Sequence, residues 1–147
     1  MVRWLTFAGI AIICVTAAEA QTELATGPFT ESQLVLGRKV YAARCAGCHL
    51  PTLAGQGEAL ALVGTQFMRG WSNRTTQDLY KLIQTSMPKN DPGSLDEQSA
   101  ANVTAFILRA NGAVSGPMSF LAAPPLRISL IANGMAPGDF ELGAPAK

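Results

Sequence analysis

Residues 45–49 read Cys45-Ala46-Gly47-Cys48-His49, and His49 is the single histidine of the chain. Two thiols three positions apart, followed at once by an imidazole, form the attachment signature of c-type haem. In that chemistry each thiol adds across a porphyrin vinyl group to give a thioether, and the imidazole becomes an axial ligand to the iron. Two other chemistries use a C-x-x-C pair. A redox dithiol leaves the adjoining histidine unexplained. A structural zinc site needs further Cys or His ligands, and the remaining cysteine, Cys14, falls in an apolar N-terminal segment. With no second histidine, a strong ligand on the opposite face of the iron must be of another type.

Methionine is the candidate type, because a neutral thioether opposite histidine favours ferrous iron and raises the reduction potential. Met87 lies 38 residues beyond His49, enough chain to cross to the other face. It precedes Pro88, so its backbone is biased to an extended, stiffened conformation that loses little entropy on ligation. Met68, Met118 and Met135 are read as packing or surface residues, the usual role of methionine.

Helices must hold these groups. Thr30-Glu31-Ser32-Gln33 is a capping box that opens a helix over residues 30–44, with Leu34, Gly37 and Tyr41 on one face and Leu36, Val40 and Ala43 broadening it. Arg38 and Lys39 are expected in water. Residues 50–71 read as loop, opened by Pro51 and interrupted by Gly55, Gly57, Gly64 and Gly70. A second helix is predicted over 75–86, capped by Thr75 and Asp78, with Leu79, Leu82 and Ile83 buried; Met87-Pro88 ends it. Residues 89–93 are a turn-rich loop. Ser94-Leu95-Asp96-Glu97 reads as another capping box, starting a helix that runs to Ala110 with Val103, Phe106, Ile107 and Ala110 inward; Asn111-Gly112 is its C-cap. Residues 113–147 hold five of the nine prolines. They read as an extended tail packed on the domain or on a partner, with strand-like alternation over 126–130.

The first twenty residues look like a targeting segment. Arg3 supplies a positive start, residues 4–18 are largely apolar or small, and Ala18-Glu19-Ala20 fits a signal-peptidase site. Export with Gln21 as mature N-terminus is expected, without stable membrane insertion after cleavage; the alternative is a segment kept as a membrane anchor. The 147-residue chain carries a net charge of +1, and cleavage would leave that balance unchanged. It gives no basis for binding nucleic acid. The expected organisation is a signal peptide over 1–20, a leader over 21–29, a domain over 30–112 and a proline-rich extension over 113–147.

Over residues 30–112 the chain resembles a class I c-type cytochrome. The resemblance is carried by the C-x-x-C-H at 45–49, by Met87-Pro88 and by Pro92-Gly93-Ser94-Leu95 before the last helix. The last of these is similar to small cytochromes and cytochrome subunits that accompany bacterial periplasmic dehydrogenases, quinoprotein types among them. The resemblance implies an all-α cytochrome c fold: three to four helices wrapped around one covalently attached haem c, with an extended C-terminal tail. It implies Cys45, Cys48, His49 and Met87 as haem-binding residues, with His49 and Met87 on the metal. It implies that the first and last helices meet at Gly37, Tyr41 and Phe106. Trp71 matches a position that bonds a haem propionate, with Arg74 a further partner. Where relatives carry a proline whose carbonyl accepts the free N–H of the haem histidine, this chain has Leu60. The expected function is one-electron transfer without catalysis, between redox partner proteins: a periplasmic dehydrogenase as donor, an oxidase or another cytochrome as acceptor. The alternatives are a dedicated cytochrome subunit of a dehydrogenase complex, motivated by the long tail, and a haem sensor or weak peroxidase should Met87 not bind iron.

Overall fold

A computed structural model describes residues 25–138. The targeting segment expected over 1–20 lies outside them, as do residues 139–147. Five α-helices follow in order: α1 (Glu31–Arg44), α2 (Ala46–His49), α3 (Gly64–Trp71), α4 (Thr76–Ser86) and α5 (Glu97–Ala110). Two 3₁₀ turns, Phe120–Ala122 and Ile128–Leu130, lie in the C-terminal tail. No strand forms among the described residues, only isolated bridges, so the fold is all-α.

The helix starts follow local chemistry. Thr30 caps α1, and the Gln33 side chain reaches back to accept the Thr30 N–H at 3.2 Å. Thr75 caps α4 reciprocally with Asp78. The start of α5 differs from expectation. Asp96 is the N-cap, accepting the Ser99 N–H at 2.8 Å, while the Ser94 hydroxyl is engaged by Arg44. A carboxylate one residue before the helix satisfies an orphan N–H better than a hydroxyl two residues further off.

The segment read as continuous loop contains α3: Gly70 lies within the helix, while Gly64 opens it at φ +76°, a left-handed conformation that favours glycine. The cause is distant in sequence. No local side chain caps α3; the Gly64 N–H donates instead to Asn111 Oδ1 at 3.0 Å. Phe67, one turn before Trp71, is buried and stacks on it with ring centroids 6.2 Å apart.

Helices α1 and α5 pack closely at Gly37. A Cβ there would lie 2.0 Å from the Asn102 carbonyl oxygen, so only glycine permits this approach. Tyr41 and Phe106 fill the space beside it, with centroids 5.2 Å apart. Arg38 is not simply solvated: its guanidinium lies 5.9 Å from the Phe106 centroid. Leu36, expected on the apolar side, is exposed.

Helix α5 is buried nearly all round: Ala101, Thr104 and Leu108 join the expected Val103, Phe106, Ile107 and Ala110. The tail supplies the extra cover. Phe120 packs on Tyr80 at 5.6 Å, and Ile128 and Ile131 are fully buried. The alternation at 126–130 is a strap rather than a strand. Leu126 O accepts from Thr76 N–H, Ile128 N–H donates to Arg74 O, and Ser129 N–H donates to Ser72 O, all within 3.1 Å. Residues 25–29 pack under the same tail, with Phe29 fully buried.

Candidate haem site

The sequence after α1 turns sharply. Cys45 ends α1, and the single turn of α2 carries Cys48 and His49. Leu50 then takes φ +63°, a left-handed conformation that side chains rarely adopt. Its carbonyl is held by the Tyr41 hydroxyl at 2.7 Å. The chain reverses, and a second tight bend at Gly55 leaves room for no side chain: a Cβ would meet the Ala59 oxygen at 2.2 Å. The returning loop brings Leu60 beneath the imidazole, and His49 Nδ1 lies 2.9 Å from Leu60 O. A carbonyl only accepts, so this bond requires the proton on Nδ1 and leaves the Nε2 lone pair for a metal. The position that resemblance assigned to Leu60 is where the structure puts it.

A cavity of about 810 Å³ opens beside this turn. Cys45, Cys48 and His49 line it, and so does Met87. The structure therefore gathers all four sequence-predicted residues around one space. Met87 follows α4 in extended conformation, φ −123° and ψ 151°, with its N–H donating to Ile83 O. Met118 and Met135 are exposed, and Met68 packs on the core beside Gly134. The rest of the lining is mostly apolar, including Phe67, Trp71, Leu79, Ile83, Val103 and Ile107.

These residues fit a haem. Leu60 and Leu82 line the cavity while 68% and 38% exposed, apolar surface that calls for an apolar occupant. Gly47 and Gly70 line it with nothing within 4 Å of a hypothetical Cβ, leaving the face of a flat macrocycle clear. Cys45 does not suit the attacking thiol of a dithiol oxidoreductase. Burial, opposed in part by Arg44, pushes Cys45 up to about 11, whereas redox pairs need a low thiol pKa. No group of three or more His, Cys, Asp or Glu side chains that could hold a metal ion occurs among the described residues.

Trp71 lines the cavity, and the Arg74 guanidinium stacks 5.0 Å from its ring centroid rather than lining the space. Two ion pairs brace the neighbourhood. Arg44 holds Asp91 at 3.3 Å, and Lys89 meets Glu58 at 3.6 Å on the rim. Both involve exposed groups and contribute little to stability. Sequence reasoning missed Asn111, whose side chain ties the loop near Leu60 to the end of α5. An Asn-Gly at a helix end gives no sign of such a long-range role.

An all-α fold enclosing a C-x-x-C-H turn and an apolar cleft defines a c-type cytochrome, binding haem c covalently and working in electron transfer. The family model for cytochrome c oxidase, cbb3-type, subunit III matches residues 32–107, more than half of the chain, and the chain belongs to that family. The crystal structure of the sulfane dehydrogenase SoxCD from Paracoccus pantotrophus is similar at TM-score 0.48 and 19% identity, over 92% of this chain and 73% of that one. No curated protein matches.

Proposed function

We propose that this cytochrome is an exported one-electron carrier, not an enzyme, whose haem is linked through Cys45 and Cys48 and ligated by His49 and Met87. The observation that carries the reading is the convergence of an Nδ1-protonated histidine and an extended methionine on one apolar cavity. When bound, the haem iron supplies reversible one-electron oxidation and reduction. The Leu60 carbonyl fixes the imidazole's tautomer and plane. The extended Met87 backbone presents its thioether without ordering a flexible loop. Leu79, Ile83, Val103 and Ile107 exclude water, which favours the less charged iron state. Two protein ligands leave no position for substrate, hence a carrier and not a catalyst. No helix among the described residues is long and apolar enough to cross a membrane. The Arg3 start and the Ala18-Glu19-Ala20 site support export to the periplasm.

The partners proposed are redox proteins: a periplasmic dehydrogenase as donor, and an oxidase or another cytochrome as acceptor. The family's oxidase association supports the acceptor. Docking at the exposed Leu60 and Leu82 edge would be small and transient, as such encounters are. Phe120, Ile128 and Ile131 of the tail are buried against the chain's own helices, which supports a free carrier, while the dedicated-subunit alternative keeps the tail's exposed residues as a docking surface.

Met87→Ala in the holoprotein tests the ligation. The wild-type oxidised protein should show the long-wavelength methionine–iron charge-transfer absorption. The variant should lose it, and its reduction potential should fall. An unchanged spectrum and potential would overturn the assignment, and absence of the band from the wild type would favour the sensor or weak peroxidase.

A further inference from the structure

Asn111 is completely buried and its side chain is fully engaged. Its Oδ1 accepts the Gly64 N–H at 3.0 Å, and its Nδ2 donates to Leu62 O at 2.8 Å and to Ile107 O at 2.9 Å. Its backbone oxygen accepts the Asn133 and Gly134 N–H groups at 3.0 and 2.9 Å. One residue thus joins the end of α5, the loop entering α3, and the tail. The grip on Leu62 and Gly64 brackets Val63 and ends two residues from Leu60, whose carbonyl meets His49 Nδ1.

The Leu60 side chain is 68% exposed and cannot anchor its own carbonyl. Leucine also lacks the ring that would restrict φ at this position. The carbonyl's position must come from its neighbours. Leu62 is held on one side by its N–H to Leu53 O at 2.8 Å and on the other by Asn111.

We propose that Asn111 is a positioning residue for His49, acting through Leu62 and Gly64 to hold the Leu60 carbonyl under the imidazole. It lies beyond residues 32–107, the span matched by the family. The inference rests on His49 as iron ligand and assigns to a buried amide the stiffness that leucine does not supply. The Nδ1–H bond to a fixed carbonyl sets the ring's orientation and raises its basicity. Removing the amide leaves Leu62 O and the Gly64 N–H without partners, and the segment carrying Leu60 must move to find new ones.

The test is hydrogen exchange of the His49 Nδ1–H, followed by NMR in the reduced holoprotein. In the wild type this proton and the Asn111 side-chain amide should exchange through one opening, with the same denaturant dependence. Asn111→Ala should accelerate exchange of the Nδ1–H by about tenfold or more, the equivalent of one lost buried hydrogen bond. Asn111→Ser, which keeps a small polar group, serves where the alanine variant yields no holoprotein. Phe120→Leu, buried against Tyr80 and away from both the cavity and the Asn111 bonds, lowers stability without touching the linkage and should leave the Nδ1–H rate at the wild-type value. Independent exchange of the two groups in the wild type, or an unchanged rate in the Asn111 variants, would overturn the inference. If instead the wild-type His49 ring signals carry no haem-induced shift, the ligation reading itself fails.

Discussion

The Tyr41 hydroxyl donates to the Leu50 carbonyl at 2.7 Å, tying the last turn of α1 to the left-handed residue that follows His49. Leu50 at φ +63° stores strain, and such conformations persist only where the surroundings enforce them. Tyr41→Phe keeps the ring beside Phe106 and removes this enforcement. The variant should lose about 1–2 kcal/mol in denaturant unfolding of the holoprotein. Its haem should be retained, since the thioether links do not depend on the phenol.

The same tyrosine gives the alkaline behaviour a sign. Burial pushes Tyr41 well above the ordinary tyrosine value of 10.0. The folded state therefore holds the phenol proton more tightly than the unfolded chain does. That stabilisation is complete below about pH 10 and is lost as pH rises above it. Thermal midpoints of the wild type should decline beyond about pH 10, and Tyr41→Phe should flatten the decline. Tyr80, also raised by burial, accounts for a residual slope.

At the acid end the signs reverse. Hydrogen bonds from the Ser99 hydroxyl and N–H hold the Asp96 carboxyl below 3.8, and the Thr75 N–H and hydroxyl do the same for Asp78. Folded values are depressed, so this contribution is present above about pH 4 and disappears as pH falls through the lowered values. Asp96→Asn should make the stability profile shallower between about pH 5 and 2. An unaltered profile would show that the cap carries no pH dependence.

Much of this was legible in the sequence where the determinants are local. The attachment turn and the Thr30 and Thr75 caps follow from neighbouring residues, and the Gly37, Tyr41 and Phe106 contact was implied by the family resemblance. What escaped depends on contacts across the chain. Helix α3 is capped by Asn111, 47 residues away, so no local signal announced it. The start of α5 shifted to Asp96 because Arg44 draws Ser94 aside. The alternation at 126–130 resembled a strand, yet its backbone groups bond to residues 72–76 without a continuous ladder. Gln33, read only as half of a cap, also accepts the Phe120 N–H at 2.9 Å and so docks the tail.

The close packing of α1 on α5 sets up a contest between two effects at Gly37. Alanine favours a helix over glycine by about 1 kcal/mol. Against that, the new methyl would lie 2.0 Å from the Asn102 oxygen and 2.6 Å from its carbonyl carbon. Backbone atoms cannot rotate aside as a side chain can, so the helices must separate and the Tyr41–Phe106 contact must loosen. Overpacking of this kind costs roughly 1–3 kcal/mol or more, and it wins. Gly37→Ala should unfold at lower denaturant concentration than the wild type, and a stabilised variant would contradict the packing described.

The tail offers the sharpest separation of packing from attachment. Phe120 is 3% exposed, contacts Tyr80 and sits where its N–H reaches Gln33. It does not line the haem cavity. Phe120→Ala should cost about 3–5 kcal/mol, the usual range for a buried aromatic. Covalent haem should survive a denaturing gel in this variant, because Cys45 and Cys48 are intact. Cys45→Ser with Cys48→Ser should do the opposite: haem should be lost on the gel even where the native protein retains it noncovalently. Full haem retention in the double serine variant would contradict thioether attachment, and a Phe120→Ala protein of unaltered stability would show that the tail only rests on α5 without holding it.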